Sequence, residues 1–235
     1  MIGFQKSSNN LIPMKRYVII VAGGQGHRLG GEIPKQFLLL KGKPVLFHTL
    51  EKFDGIVNEI ILVLPSSHIQ YWRELCEEYN YASPISIVPG GTSRTSSVMK
   101  GLLTISTPGI VAIHDAVRPL VSKQLINNLF TEAEKSGNAV PAIPVRESLR
   151  IRRNYENQAV NREDYISVQT PQCFDYNQIM FAYNNSGNQI FSDDAGVFEN
   201  SGGRINVIEG ETHNIKITFK EDIAFAEALL DAINM

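Results

Sequence analysis

The run Val21-Ala22-Gly23-Gly24-Gln25-Gly26-His27-Arg28-Leu29-Gly30-Gly31, closed by Pro34-Lys35-Gln36, holds the residues of this chain best suited to chemistry. Glycines let a backbone turn sharply and aim its N–H groups at an anion. Arg28 and Lys35 add two fixed positive charges to the same loop, a combination suited to a polyphosphate. Two commoner glycine motifs do not fit. A dinucleotide fingerprint wants a third small residue where Leu29 stands, and an acid at the end of the second strand, which here ends Leu64-Pro65. A Walker A loop needs Gly-Lys-Ser/Thr, and Gly42-Lys43-Pro44 does not supply it. Glycine content alone is equally compatible with a plain turn; the two cations argue for a ligand.

Three further clusters carry chemistry. Gly90-Gly91-Thr92-Ser93-Arg94-Thr95-Ser96-Ser97-Val98 opens a helix, where backbone N–H groups and the Ser97 hydroxyl can meet polar ligand edges. Taken alone it reads more simply as an N-cap with a polar first turn. In Ile113-His114-Asp115-Ala116-Val117-Arg118-Pro119, an Asp just past a buried strand is a natural ligand for Mg²⁺, which takes one or two protein carboxylates and fills other positions with substrate phosphates. Arg118 is placed to clamp a second phosphate in bidentate fashion, although an Asp–Arg surface pair is common. His114 points away from Asp115 on a strand and reads as packing. In Asn214-Ile215-Lys216-Ile217-Thr218, Lys216 falls just before the last helix and by itself is a solvated lysine.

The elements that must position these residues alternate along the chain. Apolar, β-rich runs at 17–21, 59–64, 85–88, 110–114 and 139–144 predict strands, and helical periods at 44–53, 67–79, 93–103 and 122–136 predict helices. The alternation predicts an α/β fold, a doubly wound and mainly parallel sheet with helices on both faces. Ligands of such sheets sit outside the carboxyl ends of the strands, so the glycine loop and Asp115 open onto one crevice. Residues 145–168 break the rhythm: charged, rich in Arg and Asn, too long for a structureless loop in a compact domain. They are read as a projecting β-arm that packs on another subunit, in preference to a disordered loop. Asp175 caps a helix to about Asn184, Ser192-Asp193-Asp194 starts another stopped by Gly202-Gly203, 205–209 is a further strand, and Thr218 with Glu221 makes a capping box for a last helix reaching Ile233.

Composition limits the function classes. The 235 residues carry a net charge of −2 and are 43% hydrophobic, which implies one α/β domain over 14–235 and no broad nucleic-acid or membrane-surface footprint. Two distant cysteines, Cys76 and Cys173, point away from disulfide scaffolding and towards a reducing, cytoplasmic setting. No apolar run approaches the ~20 residues of a membrane span. The polar stretch 1–13 has no signal-peptide core and is read as a flexible tail outside the domain.

Taken in order, the glycine loop with Pro34-Lys35-Gln36, the Gly90–Val98 cluster, His114–Pro119, Gln169-Thr170-Pro171-Gln172, the segment from Ser192 to Glu199, and Asn214–Thr218 resemble the 2-C-methyl-D-erythritol 4-phosphate cytidylyltransferase family, from about Lys15 to the last helix. Each motif is weak alone; the set is specific. The resemblance implies a Rossmann-like nucleotidyltransferase fold, a homodimer built through the β-arm, and transfer of CMP from CTP to methylerythritol phosphate with release of pyrophosphate, assisted by Mg²⁺. It assigns Arg28, Lys35 and Lys216 to the triphosphate and Asp115 to the metal. Ala22, Gly23, Gly24, Gly26, Gly91, Thr92 and Ser97 fall to the nucleotide, and Arg118, Ser148, Arg162, Thr170 and Ser192 to the polyol phosphate. The arm's usual Asp-Thr is Glu147-Ser148 here, and the usual Thr before the acidic helix is Ser192; both changes keep the polar groups and leave the polyol less defined than the reaction.

The chemistry is self-consistent. A phosphate monoester with a second pKa near ~6 is already mostly dianionic at neutral pH, so no general base is required. The obstacle is repulsion between two polyanions, which cations relieve. The alternatives are a cytidylyltransferase for another polyol phosphate such as ribitol 5-phosphate, and, from a different class, a non-catalytic nucleotide-binding protein that would be expected to lack a cation or the metal Asp.

Overall fold

Apolar strands alternating with amphipathic helices can bury their faces only by stacking in layers, and this chain does so around one central sheet. The computed structural model describes residues 14–23, 33–187 and 189–233. The tail at 1–13 and Gly24, Gly26 and Arg28 of the glycine loop lie outside the described residues.

Strand β1 (Lys15–Val21) is followed by a 3-10 turn at Lys35–Phe37, a short hairpin of β2 (Leu39–Leu40) and β3 (Lys43–Pro44), and α1 (Val45–Glu51). The alternation continues through β4 (Glu59–Leu64), α2 (Ile69–Glu78), β5 (Ile85–Pro89), α3 (Arg94–Leu102), β6 (Gly109–Asp115), α4 (Lys123–Ser136) and β7 (Asn138–Pro144). Beyond it come β8 (Arg150–Arg153), β9 (Glu156–Ala159), β10 (Ile166–Val168), β11 (Gln172–Asp175), α5 (Tyr176–Asn184), α6 (Asp194–Asn200), β12 (Val207–Glu209) and α7 (Glu221–Ile233).

The main sheet runs β10-β7-β11-β6-β1-β4-β5, with β12 also paired to β7. Strands β6, β1, β4 and β5 are parallel neighbours, while β11 is antiparallel to both β6 and β7. Sequence reading missed β11. Its four residues follow Thr170-Pro171 and begin on a buried glutamine, so no apolar run announces them. Val18, Ile20 and Leu62 face α1, α2 and α4 on one side of the sheet, and Ile19, Ile61 and Val63 face α3, α5 and α6 on the other. Strand β6 is buried at all seven positions, which is why Gly109–Ile113 reads as a continuous apolar run ahead of His114 and Asp115.

Residues 145–165 leave this body. Strands β8 and β9 form a separate antiparallel ribbon turned at Asn154, with all eight strand residues exposed. The last part of the expected arm, β10, rejoins the main sheet beside β7.

Helix starts follow the expected caps. Ser93 and Ser96 make a reciprocal capping box on α3, Ser122 accepts from the Leu125 N–H, and Asp175 and Asp193 accept from Gln178 and Gly196. The expected Thr218–Glu221 box on α7 is replaced by another device. The Asp222 carboxylate reaches back and accepts the Thr218 and Phe219 N–H groups at 2.7 and 2.8 Å, and the Thr218 hydroxyl donates to the Lys216 carbonyl. A carboxylate holds two such donors better than a hydroxyl holds one.

Candidate active site

The parallel strands β1, β4, β5 and β6 end on one side of the molecule, and a cleft of about 410 Å³ opens above them. Val21 and Asp115 are register partners at the last positions of β1 and β6, so Ala22-Gly23 follow β1 directly beside the acid. Ala22 and Gly23 form the start of the cleft wall, with the Ala22 N–H bonded to the Val63 carbonyl. Lys35 enters from the 3-10 turn. Its neighbour Gln36, nearly fully buried, donates to the Ala22 carbonyl at 3.0 Å and so ties the Pro-Lys-Gln turn to the residue that follows β1.

The turn into α3 also lines the cleft. The Gly91 N–H is accepted by Ser97 Oγ at 3.0 Å, and that hydroxyl donates to the Ser93 carbonyl at 2.8 Å. A side chain at Gly91 would place its Cβ 2.1 Å from Ser96 Oγ, so the turn closes this tightly only over a glycine.

Asp115 lines the same cleft and is only 8% exposed. Lys216 Nζ lies 2.9 Å and Arg118 Nε 3.3 Å from its Oδ2, and Arg94 Nε lies 3.9 Å from Oδ1. Burial works against its charge, but Lys216, Arg94 and Arg118 together overrule it and hold the carboxyl well below the usual carboxylate range. The acid is therefore ionised at neutral pH. Burial pulls the Arg118 guanidinium down from its ordinary value, opposed by Asp115.

A relay holds the acid from behind. The Asp115 N–H donates to Thr170 Oγ1 at 3.0 Å, and Thr170 Oγ1 lies 3.0 Å from His114 Nδ1. His114 Nε2 lies 3.1 Å from the Arg118 carbonyl, which can only accept, so the ring carries its proton on Nε2 and accepts from Thr170 on Nδ1. Burial pushes His114 down to about 4, so the imidazole is neutral. Phe53 packs edge-on against the ring, as expected for a packing histidine.

Comparison with known proteins decides the family. The model described as 2-C-methyl-D-erythritol 4-phosphate cytidylyltransferase matches residues 16–232. The chain belongs to this family. It is similar to the 2-C-methyl-D-erythritol 4-phosphate cytidylyltransferase of Porphyromonas gingivalis, 45% identical over 92% of this chain and 98% of that one, and to that of Bacteroides thetaiotaomicron, 42% identical over 92% and 100%. Among solved structures it resembles the 4-diphosphocytidyl-2C-methyl-D-erythritol synthase of Anaerococcus prevotii, with TM-score 0.79 and 29% identity over 93% and 99% of the two chains. The Thermus thermophilus cytidylyltransferase structure gives TM-score 0.74 and 29% identity over 91% and 98%.

Set against the cytidylyltransferase motifs, the structure brings Ala22, Gly23, Lys35, Gly91, Thr92, Ser97, Asp115 and Lys216 to one cleft. Others stand elsewhere. The Thr170 hydroxyl is turned to the back of Asp115 and shared between an N–H and His114, which makes it a support, not a cleft wall. Ser97 does line the cleft, but its hydroxyl is engaged by its own loop. Arg118 is not among the lining residues of the cleft; its Nη1 donates to the Asn214 carbonyl at 2.8 Å. Ser192 is exposed just ahead of α6. Ser148 and Arg162 sit on the arm, where Arg162 Nη1 donates to the Arg146 carbonyl at 2.6 Å. Neither is part of the cleft wall.

Sequence reading missed Arg94, a cleft residue whose guanidinium grips Asp194 through Nη1 and Nη2 at 2.9 and 2.6 Å. A signal was present. A cation on the first turn of a helix opposes the helix dipole, so it calls for an acid from elsewhere; that acid lies 100 residues away.

Proposed function

We infer that this chain transfers the cytidylyl group of CTP to 2-C-methyl-D-erythritol 4-phosphate and releases pyrophosphate. The observation that carries the reading is the convergence of Lys35, Lys216 and the ionised Asp115 on one cleft at the carboxyl ends of β1 and β6.

A phosphate oxygen of the polyol phosphate attacks the α-phosphorus of CTP; the new P–O bond forms as the bond from the α-phosphorus to the bridging oxygen breaks, and pyrophosphate carries the electron pair away. The nucleophile arrives ionised, so the protein has no proton to remove. Its task is to hold two polyanions together. At an effective dielectric near 20, one unit charge pair at 4 Å is worth about 4 kcal/mol before desolvation. Lys35 and Lys216 supply that charge on the cleft wall, with Arg28 of the glycine loop assigned to the same task by the family motif. Neutral groups of the Gly91-Thr92 turn and of Ala22-Gly23 border the space for the nucleotide.

Asp115 would hold the Mg²⁺. The donor set fits that ion: a single buried, ionised carboxylate at the cleft, with no group of three or more acidic, His or Cys side chains among the described residues. Mg²⁺ keeps several waters and takes phosphate oxygens, so one carboxylate suffices. When bound, it would neutralise charge on the phosphates.

The family enzyme is read as one domain with a dimerisation arm, acting as a homodimer in the cytoplasm. An isolated two-stranded ribbon is marginal in water, and every strand residue of β8 and β9 is exposed on its own chain, which supports a second copy as its support. Cys76 and Cys173 are both free, as suits a reducing compartment. Among the described residues no helix is long and apolar enough to cross a membrane.

The test is pyrophosphate release with CTP and a panel of polyol phosphates, including ribitol 5-phosphate, repeated with ATP, GTP and UTP. The reading requires turnover with CTP and methylerythritol phosphate well above every other pair. Preference for ribitol 5-phosphate would replace the acceptor and leave the reaction type standing.

A further inference from the structure

Arg94 occupies the first position of α3, where the helix dipole disfavours a cation. The fold compensates with an acid that is itself elaborately fixed. Asp194 is wholly buried at the first position of α6, and takes the Arg94 guanidinium through both oxygens. Its Oδ1 also accepts the Tyr183 hydroxyl of α5 at 2.5 Å. Its backbone N–H, with that of Ala195, is accepted by Gln172 Oε1 of β11 at 3.1 and 2.9 Å. Gln172 Nε2 in turn donates to the cap residue Asp193 at 2.8 Å. Three elements thus converge to hold one carboxylate still, and that carboxylate holds Arg94.

A plain cross-link between α3 and α6 would have no reason to face the cleft. Arg94 lines it, and its remaining nitrogen, Nε, stands 3.9 Å from Asp115 Oδ1. Lys216 and Arg118 approach the other oxygen, Oδ2, so each oxygen of Asp115 has its own cationic neighbour. Arg94 is the side chain that joins the nucleotide-side turn to this acid.

We propose that Arg94, anchored by Asp194, is a positioning residue for the transfer reaction: it fixes the orientation of the Asp115 carboxylate relative to the turn at 90–93. The inference rests on the assignment of Asp115 as the metal-holding acid. Arg94 acts through Asp115 and is not itself required to touch substrate.

The test uses the full chain with Arg94→Lys and with Asp194→Asn. Lysine keeps the charge, but one ammonium cannot hold both Asp194 oxygens and still approach Asp115. Asparagine keeps the shape of Asp194 and removes the anchoring charge, so it carries the test if the lysine variant does not fold. Small misplacements at a reacting centre can cost up to ~100-fold. Both variants are therefore expected to lose roughly tenfold to 100-fold in kcat and about tenfold in Mn²⁺ affinity of the protein–CTP complex, read by electron paramagnetic resonance, with metal-free CTP affinity changed less than about threefold. Unchanged kcat and Mn²⁺ affinity with only a lower melting temperature would make Arg94 a structural cross-link. Metal-free CTP affinity falling by the same factor as kcat would make it a direct nucleotide contact. Either result overturns the proposal. A native enzyme that releases no pyrophosphate from CTP would refute the proposed reaction instead, and the Mn²⁺ measurement would still read the role of Arg94.

Discussion

At the scale of single residues the cleft is a problem in charge. One buried carboxylate is kept ionised by three cations, and Lys35 lines the same cleft. Lys35→Ala is expected to lower kcat by roughly 10²–10³, the usual scale for loss of one preorganised charge stabiliser; near-normal turnover in steady-state kinetics would remove Lys35 from catalysis. The buried histidine behind Asp115 leaves a separate mark on stability. His114 has an ordinary value of 6.5 and is pushed down to about 4 by burial. Between those values the unfolded chain binds a proton that the folded chain refuses. Stability is therefore intact at pH 7, falls as the pH drops below about 6.5, and stops falling on this account near pH 4, for a total of about 3 kcal/mol. Asp115 acts in a different window. Its carboxyl is held below the ordinary 3.8, so its contribution is lost only at still lower pH. Urea unfolding in EDTA at pH 7, 5.5 and 4.5 separates the two: the native protein should lose stability across this range more steeply than His114→Gln. Equal slopes would mean that His114 is not buried as a neutral ring.

At the scale of elements, short-range chemistry is decisive where a helix or strand carries its own signal. Strand β4 lies where its apolar run predicts it, and the starts of α3 and α4 sit on the serines that cap them. The last helix shows the limit. Thr218 and Glu221 have the spacing of a capping box, yet Asp222 takes the N–H groups. Asp222→Ala should destabilise the protein by about 1 kcal/mol, the normal worth of a cap, whereas Thr218→Ala should cost well under half of that. Chemical denaturation of the two variants decides it, and the reverse order would restore the sequence-based cap. The same reasoning explains what was legible in the site. Lys35 and Asp115 were legible because each lies in a motif with a chemical signature, whereas Lys216, a solvated lysine by itself, was legible only through the ordered set of motifs that resembles the family. The roles of Arg94 and Thr170 were not, because Arg94 depends on Asp194 and Thr170 on His114 and the Asp115 N–H, partners 55 or more residues away. Strand β11 went unseen for a related reason: four residues opened by a glutamine become a strand only because β6 and β7 leave a slot between them.

At the scale of the whole molecule, the arm is the feature that one chain leaves unexplained. Strands β8 and β9 project with every residue exposed, Tyr155 at their turn lies fully in solvent, and Ile151 is also exposed. Ordering such a ribbon costs conformational entropy that its own contacts do not offset. Ser148 and Arg162 stand on this arm and take no part in the cleft wall of their own chain. If the arm packs on a second copy, its arginine can serve the second copy's cleft, and the two halves of a site come from different chains. Arg162→Ala should then raise KM for the polyol phosphate more than KM for CTP. A mixing experiment tests the geometry directly. Lys35→Ala removes a cation from a chain's own cleft, and Arg162→Ala removes one delivered to its partner. A mixed dimer of the two variants therefore contains one doubly damaged site and one intact site. Random reassortment of equal amounts should restore about one quarter of native activity, since half the dimers are mixed and each has one working site of two. Activity that stays at the level of the separate variants after exchange, with dimers confirmed by sedimentation, would place Arg162 in its own chain's service or in none.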